Sequence, residues 1–523
     1  MSIELNPSTS RRHPTADVTS TSEPLFRDSD WDFGLLDRIY DALHPIAIEE
    51  LGLDIYPNQM EVIGSDQMLD LYTSTGMPQM YSHWSFGKQF VREEMLYRKG
   101  AQSLAYELVI NSNPCVSYLM EENTATMQTL VIAHAAFGHN HFFKNNYLFQ
   151  TWTDAESVLE EIAFAKRYTE DCVDRYGDVA VEAVLDAAHC LMDFGVSRYT
   201  KPSHTRDAIA QRQRDRRREI ERTYDDIFER TRPDPHVPRS ELTATRGPIL
   251  PEENVLLFLA RYAPKLETWQ REILHIVRRI SQYFYPQRQT KMMNEGCATY
   301  VHYRLMNRLY DLGYLTEGAM LEFLRSHTAV VAQPAFNDRA FGGINPYALG
   351  FEMMMDIERI CEHPTEEDRQ WFGDVAGCGD AMAVLREAWR DYRDESFIRQ
   401  FLSPHLIRKL HLFAVADHSA DRFVSVSAIH DEAGYRRIRS TLADMYDMGV
   451  RSPEIEVTGA DLRGNRHLVL THRVRQGRQL SEEDCSGVLA HMASLWGHRV
   501  KLIERTGPNA EDVLAKYEAV AAD

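Results

Sequence analysis

The chain has 523 residues, 44% hydrophobic and 26% charged, the composition of a globular protein with enough apolar side chains for a sizeable core. Its formal net charge of −20 argues against wholesale nucleic-acid binding or attachment to an anionic membrane, both of which favour a basic face. No apolar run approaches the ~20 residues of a membrane span, and seven scattered cysteines without a CxxC pair fit reduced thiols in a cytoplasm, not a disulfide framework or a thiolate zinc site.

Residues 1–27 are rich in Ser, Thr and Pro and have no apolar h-region, which predicts a disordered tail and no secretory signal. From Trp31, "WDFGLLDRIYDALHPIAIEELGL" reads as an amphipathic helix ending near Gly52. "AYELVINSN", Ala105–Asn113, has the β-branched content of a strand closed by turn chemistry. Asn123 or Thr124 then caps a helix with Met127, Leu130, Val131 and His134 on one face. Two further helices, "DAESVLEEIAFAKRYTEDCVDRYG" and "DVAVEAVLDAAHCLMDFG", each start at Asp and stop at Gly.

Between about 203 and 250 the chain is highly charged and then broken by prolines, which reads as a solvated helix and a loop or lid inserted in a helical core spanning 28–405. Arg212–Arg218 is a basic island there, either a plain surface helix or an anionic-partner site. Helical patterns resume from Glu252 to about Asp394. After Pro404 short strand patterns, among them "SPEIEVTGADL", "RHLVLTHRV" and "HRVKLIE", alternate with helices at about 430–448 and 481–496. The expected architecture is a mainly α-helical N-terminal core with a short β element, followed by a smaller α+β C-terminal domain at 406–510 and a tail at 511–523.

"VIAHAAFGHNHFFKNN", Val131–Asn146, holds His134, His139 and His141 within eight residues. On a straight α-helix His134 and His139 stand about 140° apart around the axis, so they cannot share an ion as the i, i+4 pair of HExxH does. Position 135 is alanine, so the glutamate of that motif is missing as well. His134 and His141 share a face but lie about 10 Å apart along it. Gly138 offers a way out, because it can end or kink the helix and bring a later histidine back toward His134.

A second stretch, "MNEGCATYVHYRL", sets Glu295, Ala298, Thr299, His302 and Met306 along one stripe, with small residues between a carboxylate and an imidazole. Packed antiparallel to the first helix, it would bring His134 near His302, and His139 or His141 near Glu295. These five residues form a candidate set of metal ligands, with Zn²⁺ the first choice for His and Glu donors. The competing reading is a buried polar network bridging two core helices. Glu107, on the strand, and Glu121 and Glu122 are candidate general bases. Tyr347 in "NPYALG" is a candidate oxyanion stabiliser, and Lys144 with Asn145 and Asn146 can bind a substrate anion or simply cap.

"YELVINSNPCVSYLMEENTATMQTLVIAHAAFGHNHFFKNN", "NEGCATYVHY" and "INPYALGFEMMMDIERI" closely resemble the SpoVR family of stage V sporulation protein R-like proteins, from about Trp31 into the C-terminal domain. The resemblance implies a link to spore-cortex peptidoglycan or, in bacteria that do not sporulate, to stress-response clusters containing a serine protein kinase. It carries no catalytic residue across.

The order of strand, histidine helix and later "NEGxA" helix is also similar to the gluzincin metallopeptidases. There an edge strand binds substrate and a glutamate from a downstream helix is the third zinc ligand. Two functions stand open. One is a divergent metal-dependent hydrolase lacking HExxH, acting on a peptide or peptidoglycan precursor. The other is a non-enzymatic regulatory or scaffold protein of a kinase-linked pathway, gripping partners through 203–250 and the C-terminal domain.

Overall fold

A computed structural model describes residues 2–4, 23–73, 81, 83–84, 107–198, 248, 250–334, 343–412, 414–416, 425–427, 431–475, 477–506 and 512–521. The expected lid at 203–250 lies almost wholly outside the described residues, as does most of the expected N-terminal tail. The chain forms two compact units, Met1–Leu185 with Arg279–Pro453, and Asp186–Arg278 with Glu454–Asp523. Residues 406–453, placed with the C-terminal domain on sequence grounds, cluster with the first unit.

The first unit is helical around a small sheet. Strands β1 (Ser2–Glu4), β2 (Asn58–Ile63), β3 (Glu107–Ile110) and β4 (Cys115–Met120) lie in the order β1-β2-β4-β3. β2 and β4 are parallel, and the other pairs antiparallel. Among the described residues β3 is therefore an edge strand, paired from Glu107 opposite Leu119 to Ile110 opposite Val116. Leu108 and Ile110 are buried on one face, so the strand's period of two puts Glu107 on the other.

Helix α1 (Phe33–Pro45) starts at Asp32, whose carboxylate accepts from the Leu35 N–H, and buries Leu36, Ile39 and Leu43. Thr124 caps α2 (Ala125–Ile132) by accepting from Met127 N–H. A π-helical segment, Ala133–His139, and α3 (Asn140–Asn145) continue the same rod. Every residue from Ala125 to Phe143 is buried, so this helix runs through the core, not along its surface.

Around it pack α4 (Lys291–Asp311), α5 (Glu317–Val330), α6 (Pro346–Glu362) and α7 (Ala381–Asp391). α4 approaches its neighbours at backbone distance. A Cβ on Gly138 would lie 2.5 Å from the Ala298 Cα, and one on Gly350 of α6 would run into the Met292 carbonyl oxygen. The short strands β5 (Ala414–Ala416) and β6 (Ser425–Ser427) form a separate antiparallel pair.

The second unit is an α+β layer. β7 (Glu454–Ala460), β8 (Leu468–Arg473), β9 (Val500–Thr506) and β10 (Asp512–Ala519) form a sheet in the order β10-β9-β8-β7. β8 and β9 are parallel, joined through the helix Glu482–Trp496. That helix begins at Ser481 and ends at Gly497 in the left-handed region, where a side chain would cost most. Trp496 is fully buried and stacks on Phe258. The stretch expected as a tail at 511–523 is corrected by β10, which pairs antiparallel along β9. Its burial pattern is mostly exposed, so it lacks the apolar alternation that reveals a strand.

Candidate metal centre

The 140° separation of His134 and His139 holds only for an α-helix. Over Ala133–His139 the backbone is π-helical, each N–H bonding the carbonyl five residues back. Residues five apart then stack nearly above one another. The two imidazoles stand edge to face with centroids 4.6 Å apart. Gly138 does not end or kink the helix, since the rod continues through Asn140 to Asn145. Its function is to let α4 approach, and α4 runs antiparallel, setting His302 beside His134 and Glu295 beside His139.

Four side chains converge. His134 Nε2 lies 3.5 Å from Glu107 Oε1 and 3.9 Å from Glu295 Oε2, and His139 Nε2 lies 3.6 Å from Glu295 Oε2. The donor atoms of Glu107, His134 and His139 all fall within 4.8 Å of one another. These separations are long for hydrogen bonds. They approach the ~3.3 Å between two ligands held 2.0–2.1 Å from one tetrahedral ion. Among the described residues neither carboxylate has a lysine or arginine partner.

The other ring nitrogens fix the orientation. Asn294 Oδ1 accepts from His139 Nδ1 at 3.0 Å, which turns Nε2 toward Glu295. His134 Nδ1 lies 2.9 Å from His302 Nδ1, and His302 Nε2 lies 2.9 Å from His327 Nδ1. One proton placement satisfies the whole chain with Nε2 of His134 free. In that placement His134 donates to His302, and His302 donates to His327; the reverse placement puts a proton on His134 Nε2 instead.

Burial, and then the neighbouring imidazoles, push His134 and His302 well below the ordinary histidine range, so both rings are neutral. Neutral rings are what ligation requires. Burial, with Glu295 nearby as the second cause, pushes the Glu107 carboxyl up to about 8.

The other candidates fall elsewhere. His302 contacts His134 through the nitrogen facing away from the carboxylates, so it supports a ligand and is not placed as one. His141 turns toward Asp54, its Nδ1 2.9 Å from the Asp54 N–H nitrogen and 3.0 Å from the carbonyl oxygen. Glu122 is exposed and accepts from the Ser65 N–H at the start of the helix Ser65–Thr73. Tyr347 stands half-buried on the first turn of α6. Lys144 and Asn145 bond Asp54, and Asn146 caps the helix Tyr147–Trp152, so this trio secures the chain around the rod. Asn294 and His327 were not singled out by sequence. Asn294 adjoins Glu295, but neither residue carries a spacing signal.

Two family models cover the chain. The description "SpoVR like protein" matches residues 30–451, and "SpoVR-like C-terminal domain" matches 453–507. The chain is 49% identical over 487 residues to the protein YcgB of Escherichia coli (strain K12), a match covering 93% of this chain and 95% of that one. No solved structure matches it. The strand, the π-helical histidine rod and α4, which build the centre, all lie within the first matched region, and the chain belongs to the SpoVR family.

Proposed function

We propose that His134 Nε2, His139 Nε2 and Glu295 hold a divalent metal ion, Zn²⁺ by preference, in a divergent metal-dependent hydrolase. The observation that carries this reading is the convergence of the His134 and His139 imidazoles with the carboxyl groups of Glu107 and Glu295 at 3.5–3.9 Å. A His₂Glu set with one open position is the pattern of catalytic, not structural, zinc. Such an ion supplies Lewis-acid polarisation and water activation.

The chain's own residues supply the rest. Glu107 comes from β3 and not from the two helices, and its raised pKa suits it to take a proton at Oε1 and return it to a leaving amine. Asn294 and His302 orient the two imidazoles. With the family link to cortex and envelope processes, the substrate class is an amide of a peptide or peptidoglycan precursor, acted on in the cytoplasm.

Elemental analysis of purified, zinc-reconstituted protein tests the site. About one ion per chain is expected for the wild type and for Glu107→Gln, and its loss for His139→Ala and Glu295→Gln. A metal-free wild type, or retention by both ligand variants, rejects the reading.

A further inference from the structure

Far along α6 from its glycine contact, the helix ends against the loop that follows the helix Glu366–Phe372. The last carbonyls of a helix have no partner within it. Here the loop supplies partners. Gly377 N–H donates to the Ile360 carbonyl at 3.0 Å, and Gly379 N–H donates to the Cys361 carbonyl at 3.1 Å. Both glycines have positive φ, 83° and 74°, which lets the loop follow the helix end closely. The two bonds bracket Cys378 against Cys361. Cys361 is buried, and Cys378, held beside it by these two bonds, is exposed.

We propose that Cys361 and Cys378 form a reversible disulfide, with Cys378 the residue that meets the oxidant and Cys361 the one that resolves it. With a peroxide as the two-electron oxidant, the Cys378 thiolate attacks one peroxide oxygen. The O–O bond breaks, Cys378 becomes a sulfenic acid, and the departing hydroxide takes the proton that the Cys378 thiol gave up and leaves as water. The Cys361 sulfur then attacks the Cys378 sulfur. The S–S bond forms, the S–O bond breaks, and the departing hydroxide takes the Cys361 proton as a second water. Two electrons have passed from the two sulfurs to the peroxide.

The division of labour follows from access. Cys378 is exposed, whereas Cys361 has 1% of its surface accessible. Burial, and then the adjacent Cys378 thiol, push Cys361 up to about 12, which holds it as an unreactive thiol until its neighbour is oxidised. Cys115, Cys172, Cys297 and Cys485 are buried as well, away from the oxidant.

Trypsin separates the pair. Cleavage after Arg359, Arg369 and Arg386 places Cys361 in Ile360–Arg369 and Cys378 in Gln370–Arg386. After brief treatment of the full chain with stoichiometric hydrogen peroxide, alkylation and non-reducing digestion, mass spectrometry should find these two peptides joined. Their mass should be two hydrogens below the sum of the thiol forms, and dithiothreitol should release them. Cys378→Ser, at an exposed loop position, should abolish the joined species. In Cys361→Ala, Cys378 should accumulate as a sulfenic acid trapped by dimedone. Recovery of both wild-type peptides fully alkylated would overturn the proposal. So would Cys378 advancing to sulfinic acid with Cys361 still free.

Discussion

Each imidazole of the centre is gripped at Nδ1 and presents Nε2, and the two grips differ in kind. His139 donates to an amide oxygen that can only accept, while His134 meets a file of two further histidines. Removing such supports loosens a metal without deleting a ligand, typically by 10–100-fold in affinity. Asn294→Ala and His302→Phe should therefore each weaken Zn²⁺ binding by about that factor in calorimetric titration. The phenyl ring keeps the edge contact with Phe323 and removes both ring nitrogens, the one facing His134 and the one facing His327. Affinities equal to the wild type would show that the Nδ1 contacts do not orient the rings. His134, His139, Glu295 and Glu107 were legible in the sequence because imidazoles and carboxylates in apolar runs are conspicuous. Their supports were not. Asn294 lies 155 positions from its histidine, and no spacing rule links residues that meet only through helix packing.

At the scale of elements, the π-helical turn and the α4 crossing depend on each other. The five-residue histidine spacing excluded convergence on an α-helix. Sequence reasoning therefore gave Gly138 a kinking role, because a π-turn has no compositional signature and is maintained by packing. The same glycine matters for another reason. A methyl at Gly138 meets the Ala298 Cα at 2.5 Å and its Cβ at 2.9 Å, so α4 must move away as a body. Gly138→Ala should cost about 1–3 kcal/mol through overpacking and should also weaken the metal site, since the displaced helix carries Glu295. Gly487, exposed in the helix Glu482–Trp496, has nothing within 4 Å of the same added methyl. Gly487→Ala should stabilise by about 0.5–1 kcal/mol. Chemical denaturation of the pair therefore gives opposite signs for one chemical change. Equal small effects would mean that the rod and α4 do not meet at backbone distance.

At the scale of the whole molecule, a mainly helical chain with a strand-containing C-terminal region was readable because strand patterns appear after Pro404, although the units divide at Pro453. The interleaving of the two units was not, since which segments cluster depends on long-range packing. The core also contains ionisable groups that oppose one another in their pH dependence. Burial depresses His141 and His327 to about 4. Their neutral forms stabilise the fold above the unfolded value near 6.5, and this contribution is lost as pH falls toward 4.

Asp394 acts in reverse. It is buried where it accepts the Met292 and Met293 N–H groups at the start of α4, and burial pushes it up to about 7. Its contribution is complete below the unfolded value of about 3.9 and is lost as pH rises through 7. The histidines therefore favour stability rising between about pH 4 and 6.5, and Asp394 blunts that rise. Asp394→Asn removes the opposing titration and one of the two N–H acceptors, so it should lower Tm at acid pH and steepen the climb toward neutrality. Thermal scans of the wild type and the variant across that range test this as a difference of slopes, which cancels every group the two proteins share. Parallel curves would show that Asp394 stays ionised at the head of α4, with its two backbone donors outweighing its burial.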